Sequence, residues 1–217
     1  MGNLWIFGDS FSATNFRNNA ETWRVKYAKW KGYTTKVWPE FLNETLQLKL
    51  INTSLSGGDN YSIFDTIIDN IDNIKENDIL IVGWTSTLRF RFINKTNTFT
   101  TIRPSMHLTK ATLENTSEYL GVSLDTINEI LINRDNRLYE EEINRYIKLI
   151  NFSLKNNKIL HWCPFQNHQP GLNITRIDEI KNIEKISDET NGEIKDYHYS
   201  ENGHKELSKI IYNKLYE

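Results

Sequence analysis

The chain has 217 residues, 26 basic and 28 acidic side chains and a formal charge of −2, a length that supports one sizeable core. Its mixed charges exclude a nucleic-acid footprint and a polybasic membrane surface, and its single Cys163 excludes an internal disulfide. No apolar run is long enough to span a membrane. The N-terminus lacks the basic segment and long apolar stretch of a signal peptide, so the expected location is cytoplasmic or otherwise non-secreted by its own signal.

Leu4-Trp5-Ile6-Phe7 is an apolar run rich in β-formers and reads as a buried strand that stops at Gly8. Asp9 and Ser10 follow. Past a strand end in an α/β sheet, Ser10 is either a reactive group or an ordinary cap. Trp23, Tyr27 and Trp30 keep helical spacing, which points to packing more than to ligand stacking. A helix is predicted over Val37 to Leu48, with Pro39 in its first turn and Trp38, Phe41, Leu42 and Leu46 on one face. A short strand is predicted over Leu48 to Asn52. The loop Ser54-Leu55-Ser56-Gly57-Gly58-Asp59-Asn60 leads into a helix over Tyr61 to Ile74. A Gly-rich turn between strand and helix presents backbone N–H groups to an anion, although this one lacks the residues of a nucleotide phosphate loop.

Asp78 to Gly83 is the clearest buried strand, and Trp84, Thr85, Ser86 and Arg89 follow it. Strands alternating with helices imply a parallel sheet with right-handed crossovers, so the three strand tips share one edge. Residues 87–139 interrupt that alternation. Arg89 to Ile93 and Thr98 to Ile102 read as a hairpin, and Ser117 to Ile132 as one or two short helices. The segment is too long for a simple connection and reads as an insertion, either a cap over the cleft or an interface with another chain. An amphipathic helix is predicted over Glu140 to Lys155, a fourth strand over Lys158 to Cys163, and a short strand over Ile183 to Ile186. His161, Cys163 and His168 match no common zinc spacing, so no metal site is expected. The stretch Asp196-Tyr197-His198-Tyr199-Ser200-Glu201-Asn202-Gly203-His204 opens the last helix with Ser200 as its cap. Asp and His two residues apart can both reach the sheet edge, where His is the usual base for a Ser hydroxyl and a carboxylate orients it.

Together these blocks resemble the SGNH hydrolases, or GDSL esterase/lipase superfamily. Gly8-Asp9-Ser10-Phe11-Ser12 looks like its nucleophile motif, Ser54-Leu55-Ser56-Gly57 like its second block, and Asp196 to His204 like its last. The resemblance implies Ser10 as nucleophile, His198 as base, Asp196 as its partner and His204 as a structural histidine. It implies an oxyanion hole from the amides of Ser10 and Gly57. The family's third block has Asn where this chain has Thr85, so Thr85 or the nearby Asn60 is expected as the remaining donor. Lys195 stands at the family's commoner Asp position.

The predicted fold is one domain over 1–217, a flavodoxin-like three-layer α/β/α sandwich with a mostly parallel sheet of four to five strands. The predicted function is hydrolysis of small acyl esters, such as acetyl, of a carbohydrate or other alcohol through an acyl-serine, with no cofactor and no metal. Arg89 and Trp84 are the expected substrate-binding residues. The alternatives are an acyltransferase with the same triad, or an inactive domain that binds carbohydrate or serves in an assembly. No nucleic-acid or membrane partner is expected, and the insertion allows an oligomer.

Overall fold

A computed structural model describes residues 2–13, 23–86, 89–93, 99–102, 136–165 and 174–217, with isolated residues between 117 and 129. Four parallel strands form the main sheet: β1 (Asn3–Phe7), β2 (Lys49–Asn52), β3 (Ile79–Gly83) and the strand at Lys158–Trp162. A hairpin, β4 (Phe90–Ile93) with β5 (Phe99–Ile102), stands apart from it, so the fourth strand of the sheet is β6. The order is β2-β1-β3-β6, with Leu4 beside both Leu50 and Ile79, and Ile81 beside Leu160. The chain thus reverses its direction of winding at β1, and the strand ends flanking that switch point are where α/β sheets place ligands.

The helices in chain order are α1 (Trp23–Lys31), α2 (Trp38–Leu46), α3 (Asn60–Asn70), α4 (Asn136–Ser153), the short α5 (Ile186–Glu189) and α6 (Glu201–Tyr216). Alternation along β1 divides the core. Leu4 and Ile6 face Trp38 and Leu42 of α2 and Leu207 and Ile211 of α6, while Trp5 and Phe7 face Ile63 and Ile67 of α3 and Ile143 and Ile147 of α4. Two-residue alternation on a strand meets the 3.6-residue stripe of a helix on each side. The three-layer α/β/α sandwich expected from the sequence is therefore the observed fold. No helix of the described residues is long and apolar enough to cross a membrane.

Two elements differ from expectation. Helix α4 begins at Asn136, a turn before the Glu140 start read from its apolar stripe, and Leu138 in that extra turn is largely exposed. Ile183 to Ile186 is not a strand. A 3-10 turn at Asp178–Asn182 ends just before this stretch and α5 begins at its last residue, with Ile183 and Lys185 extended between them, and Ile180, Ile183 and Ile186 are all buried. Lys185 makes only an isolated antiparallel bridge with Tyr199. Most of the 117–132 helical expectation, with His168, lies outside the described residues.

Candidate active site

The segment after β1 is a tight turn. Asp9 O accepts the N–H groups of Ser12 and Ala13, each at 3.0 Å, and Asp9 Oδ1 accepts the Phe11 N–H at 3.0 Å. This self-bonded Asx geometry suits Asp in a turn. Gly8 is required here, since a Cβ would lie 2.8 Å from Ser12 Oγ and 3.2 Å from Gly83 O. The tips of β1 and β3 can therefore touch. The loop after β2 is tied to the same tip, because Thr53 N–H donates to Ile6 O and Leu55 N–H to Gly8 O, both at 2.9 Å.

The 196–200 segment reaches that edge from the other end of the chain. Ile186 N–H donates to His198 O at 2.9 Å, Ser187 N–H to Asp196 O at 3.0 Å and Ser200 N–H to Glu184 O at 3.0 Å. Ser200 then caps α6 by accepting the Gly203 N–H at 3.1 Å and donates its own hydroxyl to Glu184. Gly203 allows the approach, since a Cβ would lie 2.2 Å from Glu184 O. Helix α1 and Tyr33 just after it hold the chain on either side of this segment: Tyr27 and Lys31 both bond Glu189, Trp30 Nε1 donates to Glu193 at 3.1 Å and Tyr33 to Glu201 at 2.6 Å.

The outcome is a relay of three side chains. Ser10 Oγ lies 3.0 Å from His198 Nε2, and His198 Nδ1 lies 2.6 Å from Asp196 Oδ1, which also accepts the His198 backbone N–H at 2.8 Å. A carboxylate at Nδ1 selects the tautomer with its proton there and leaves the Nε2 lone pair for the Ser10 hydroxyl. Burial raises the Asp196 pKa, but the ring and backbone donors of His198 outweigh it, and the carboxyl is held below its ordinary range. Ser10 is 4% exposed, and the Phe11 ring stacks on the imidazole at 4.7 Å. Asp196, rather than Lys195, is thus the residue beside His198. His204 is buried elsewhere, where its Nδ1 accepts the Trp38 N–H at 3.2 Å and satisfies a donor at the start of α2.

The other expected site residues are placed differently. Thr85, a candidate oxyanion donor, gives its single hydroxyl hydrogen to Asp9 Oδ2 at 2.9 Å. Asn60, the other candidate, pairs with the Thr85 backbone, accepting its N–H at 2.8 Å and donating to its C=O at 3.0 Å. Arg89 is buried, 3.0 Å from Asp9 Oδ2, and donates to Gly58 O at 2.6 Å. Trp84 is fully buried and donates its indole N–H to His161 Nδ1 at 3.2 Å. Burial pushes the His161 pKa down to about 4, and its Nε2 meets Asn151 Oδ1 at 3.0 Å. The Cys163 thiol is buried as well and pushed up to about 12. Gly57 adopts a left-handed φ of 82°, and among the described residues no acceptor takes the N–H of Ser10 or of Gly57.

What the sequence did not single out is Asp9 as a hub. Its carboxylate is 1% exposed and joins the Ser10 turn, Thr85 after β3 and, through Arg89, the Gly57-Gly58 loop. The signal was an acid at the end of an apolar strand, a position that seldom buries a charge without a partner.

No family model matches the chain, and no curated protein matches it. Among solved structures it is similar to one from Desulfitobacterium hafniense DCB-2 described as a "putative lipolytic protein of G-D-S-L family", at 13% identity, covering 99% of each chain, with a TM-score of 0.43.

Proposed function

We propose that the chain is a serine ester hydrolase that cleaves small acyl esters, acetyl esters of a carbohydrate or other alcohol among them, through an acyl-serine. The observation that carries this reading is the Ser10–His198–Asp196 relay, at 3.0 and 2.6 Å, at the strand ends flanking the switch point. As Ser10 Oγ attacks the carbonyl carbon, its proton passes to His198 Nε2, and Asp196 balances the imidazolium. The carbonyl oxygen becomes an oxyanion held by the N–H groups of Ser10 and Gly57. Collapse breaks the ester C–O bond, and the alcohol leaves with the proton from His198. Water then gives a proton to His198, attacks the acyl carbon and releases the acid, and Ser10 recovers its hydrogen.

One observation favours a second reading, an inactive binding or assembly domain. The Thr85 hydroxyl is spent on Asp9, so the third donor of a fuller oxyanion hole is not supplied from that position. A fluorophosphonate probe separates the two. The expected result is covalent labelling of the wild-type chain and none of Ser10→Ala, with hydrolysis of p-nitrophenyl acetate falling about 10⁴- to 10⁶-fold in that variant. An unlabelled wild-type chain would favour the binding domain.

A further inference from the structure

Beside the relay lies an open cleft of about 370 Å³, within the size range of small-molecule sites. Its walls are Phe11, Phe165, Tyr197 and Tyr199, and its charged lining residues are Lys181 and Lys185. Phe11 is also the ring that stacks on His198, and it meets Phe165 edge-on at 5.3 Å and Tyr199 at 5.4 Å. One wall of the cleft is therefore shared with the imidazole. Tyr197, next to His198, is 76% exposed, a large aromatic surface left to solvent at the rim of an aromatic cavity.

The charge around this cleft is one-sided. Of the carboxylates near the two lysines in the chain, Asp178 pairs with Arg176 at 2.7 Å, Glu184 accepts the Ser200 hydroxyl and Asp188 accepts the Lys185 backbone N–H at 3.0 Å, while Glu179, two residues before Lys181, does not line the cleft. Asp196 is turned to His198. Among the described residues no carboxylate forms an ion pair with Lys181 or Lys185. An aromatic trough with two ammonium groups and no acid among its described lining residues is complementary to a flat or apolar body that carries an anion.

We propose that this cleft binds an organic anion, a carboxylate or phosphate on an apolar or aromatic body, and that the ester cleaved at Ser10 carries such a group on the part lying there. The second clause rests on the hydrolase reading, whereas the first concerns the cleft alone. Isothermal titration of the wild-type chain at low ionic strength with 4-phenylbutyrate, 3-phenylpropyl phosphate and the neutral 4-phenylbutanamide tests it. At least one anion should bind about five- to tenfold tighter than the amide, and Lys181→Gln/Lys185→Gln should remove that preference, as expected for two partly exposed ion pairs. The tighter of the two anions identifies the headgroup. Tyr197→Ala should weaken anion and amide alike. Equal binding of all three ligands, no binding of any, or a preference that survives the double lysine variant would overturn the proposal. Fluorophosphonate labelling distinguishes the two readings: labelled Ser10 without anion preference removes the cleft proposal alone, and anion preference without labelling removes the esterase alone.

Discussion

At the edge where the parallel strands begin, Asp78 accepts the backbone N–H of Asn3 at 2.7 Å, the Trp5 indole N–H at 2.8 Å and the Lys75 N–H at 3.0 Å, together with the Asn3 side chain. At the edge where they end, Asp9 meets a guanidinium and a hydroxyl, and Asp196 meets an imidazole. Asp78 and Asp9 each tie several strand ends or loops together, whereas Asp196 is bonded to the backbone and ring of His198. The Asp78 donors are all neutral N–H groups that keep their protons, so this charge only locks β1 to β3. The partner of Asp196 is an imidazole, and on the proposed hydrolase reading only there does anchoring become chemistry. Asp9 lies between these cases: its charge is balanced by Arg89, which holds its proton, yet it fixes the turn that carries Ser10.

The contrast is broken most severely at Asp196. Asp196→Asn should lower kcat on p-nitrophenyl acetate by about 10⁴-fold, because an amide no longer enforces the productive tautomer. Its thermal unfolding should stay close to wild type, and Lys195→Ala should stay within a few-fold in rate. An Asp196→Asn enzyme within tenfold of wild type would show that the carboxylate does not orient His198.

Next in size is Arg89. Arg89→Met leaves the buried Asp9 carboxylate without its cation, and losing one partner of a buried pair costs about 3–5 kcal/mol. Urea unfolding should register that loss, and adding Asp9→Asn should recover part of it by removing the stranded charge. A single variant as stable as wild type would mean that the Thr85 hydroxyl and Phe11 N–H suffice for Asp9.

At the opposite edge the effect should appear in stability alone. Asp78→Asn should cost about 1–3 kcal/mol by weakening several donors at once, with kcat/KM of the folded enzyme unchanged. Burial raises the Asp78 pKa, but its donors outweigh burial and hold it below the ordinary carboxylate range. With the folded pKa depressed, its stabilisation is present above the unfolded pKa of about 4 and is lost as pH falls through the folded value. Wild-type stability should therefore drop more steeply than that of Asp78→Asn below about pH 4, as read from unfolding midpoints across acid buffers.

Strands β1 and β3 were legible because Leu4–Phe7 and Ile79–Val82 are uninterrupted apolar runs, and an apolar run between turn residues has few alternatives to a buried strand. The Ser10, Asp196 and His198 grouping was legible too, since parallel winding brings all strand tips to one edge. Partners were not. Nothing in the spacing tells Arg89 that its acid is Asp9 rather than a ligand, because an Arg past a strand tip is equally suited to either. Ile183 to Ile186 misled because its β-branched and polar residues fit a strand and Ile183 and Lys185 are indeed extended, yet among the described residues Lys185 finds only a lone bridge to Tyr199 before α5 begins.

The smallest predicted effect concerns the residue whose role changed most between sequence and structure. Thr85 stands at the tip of β3 where the resembled family has an oxyanion amide, yet its hydroxyl donates to Asp9 Oδ2 at 2.9 Å and is fully buried. Thr85→Val keeps the shape and removes one hydrogen bond to a carboxylate that retains Arg89 and Phe11 N–H. Stability should fall by about 1–2 kcal/mol. Loss of a working oxyanion donor would cost about 10²- to 10³-fold in kcat with stability unchanged, so the two roles separate on two axes. A stability loss with kcat within tenfold places Thr85 with Asp78, as an anchor of strand ends. A large kcat loss without destabilisation would mean that the hydroxyl leaves Asp9 for the oxyanion when substrate is bound, and that Arg89 alone balances Asp9 during turnover.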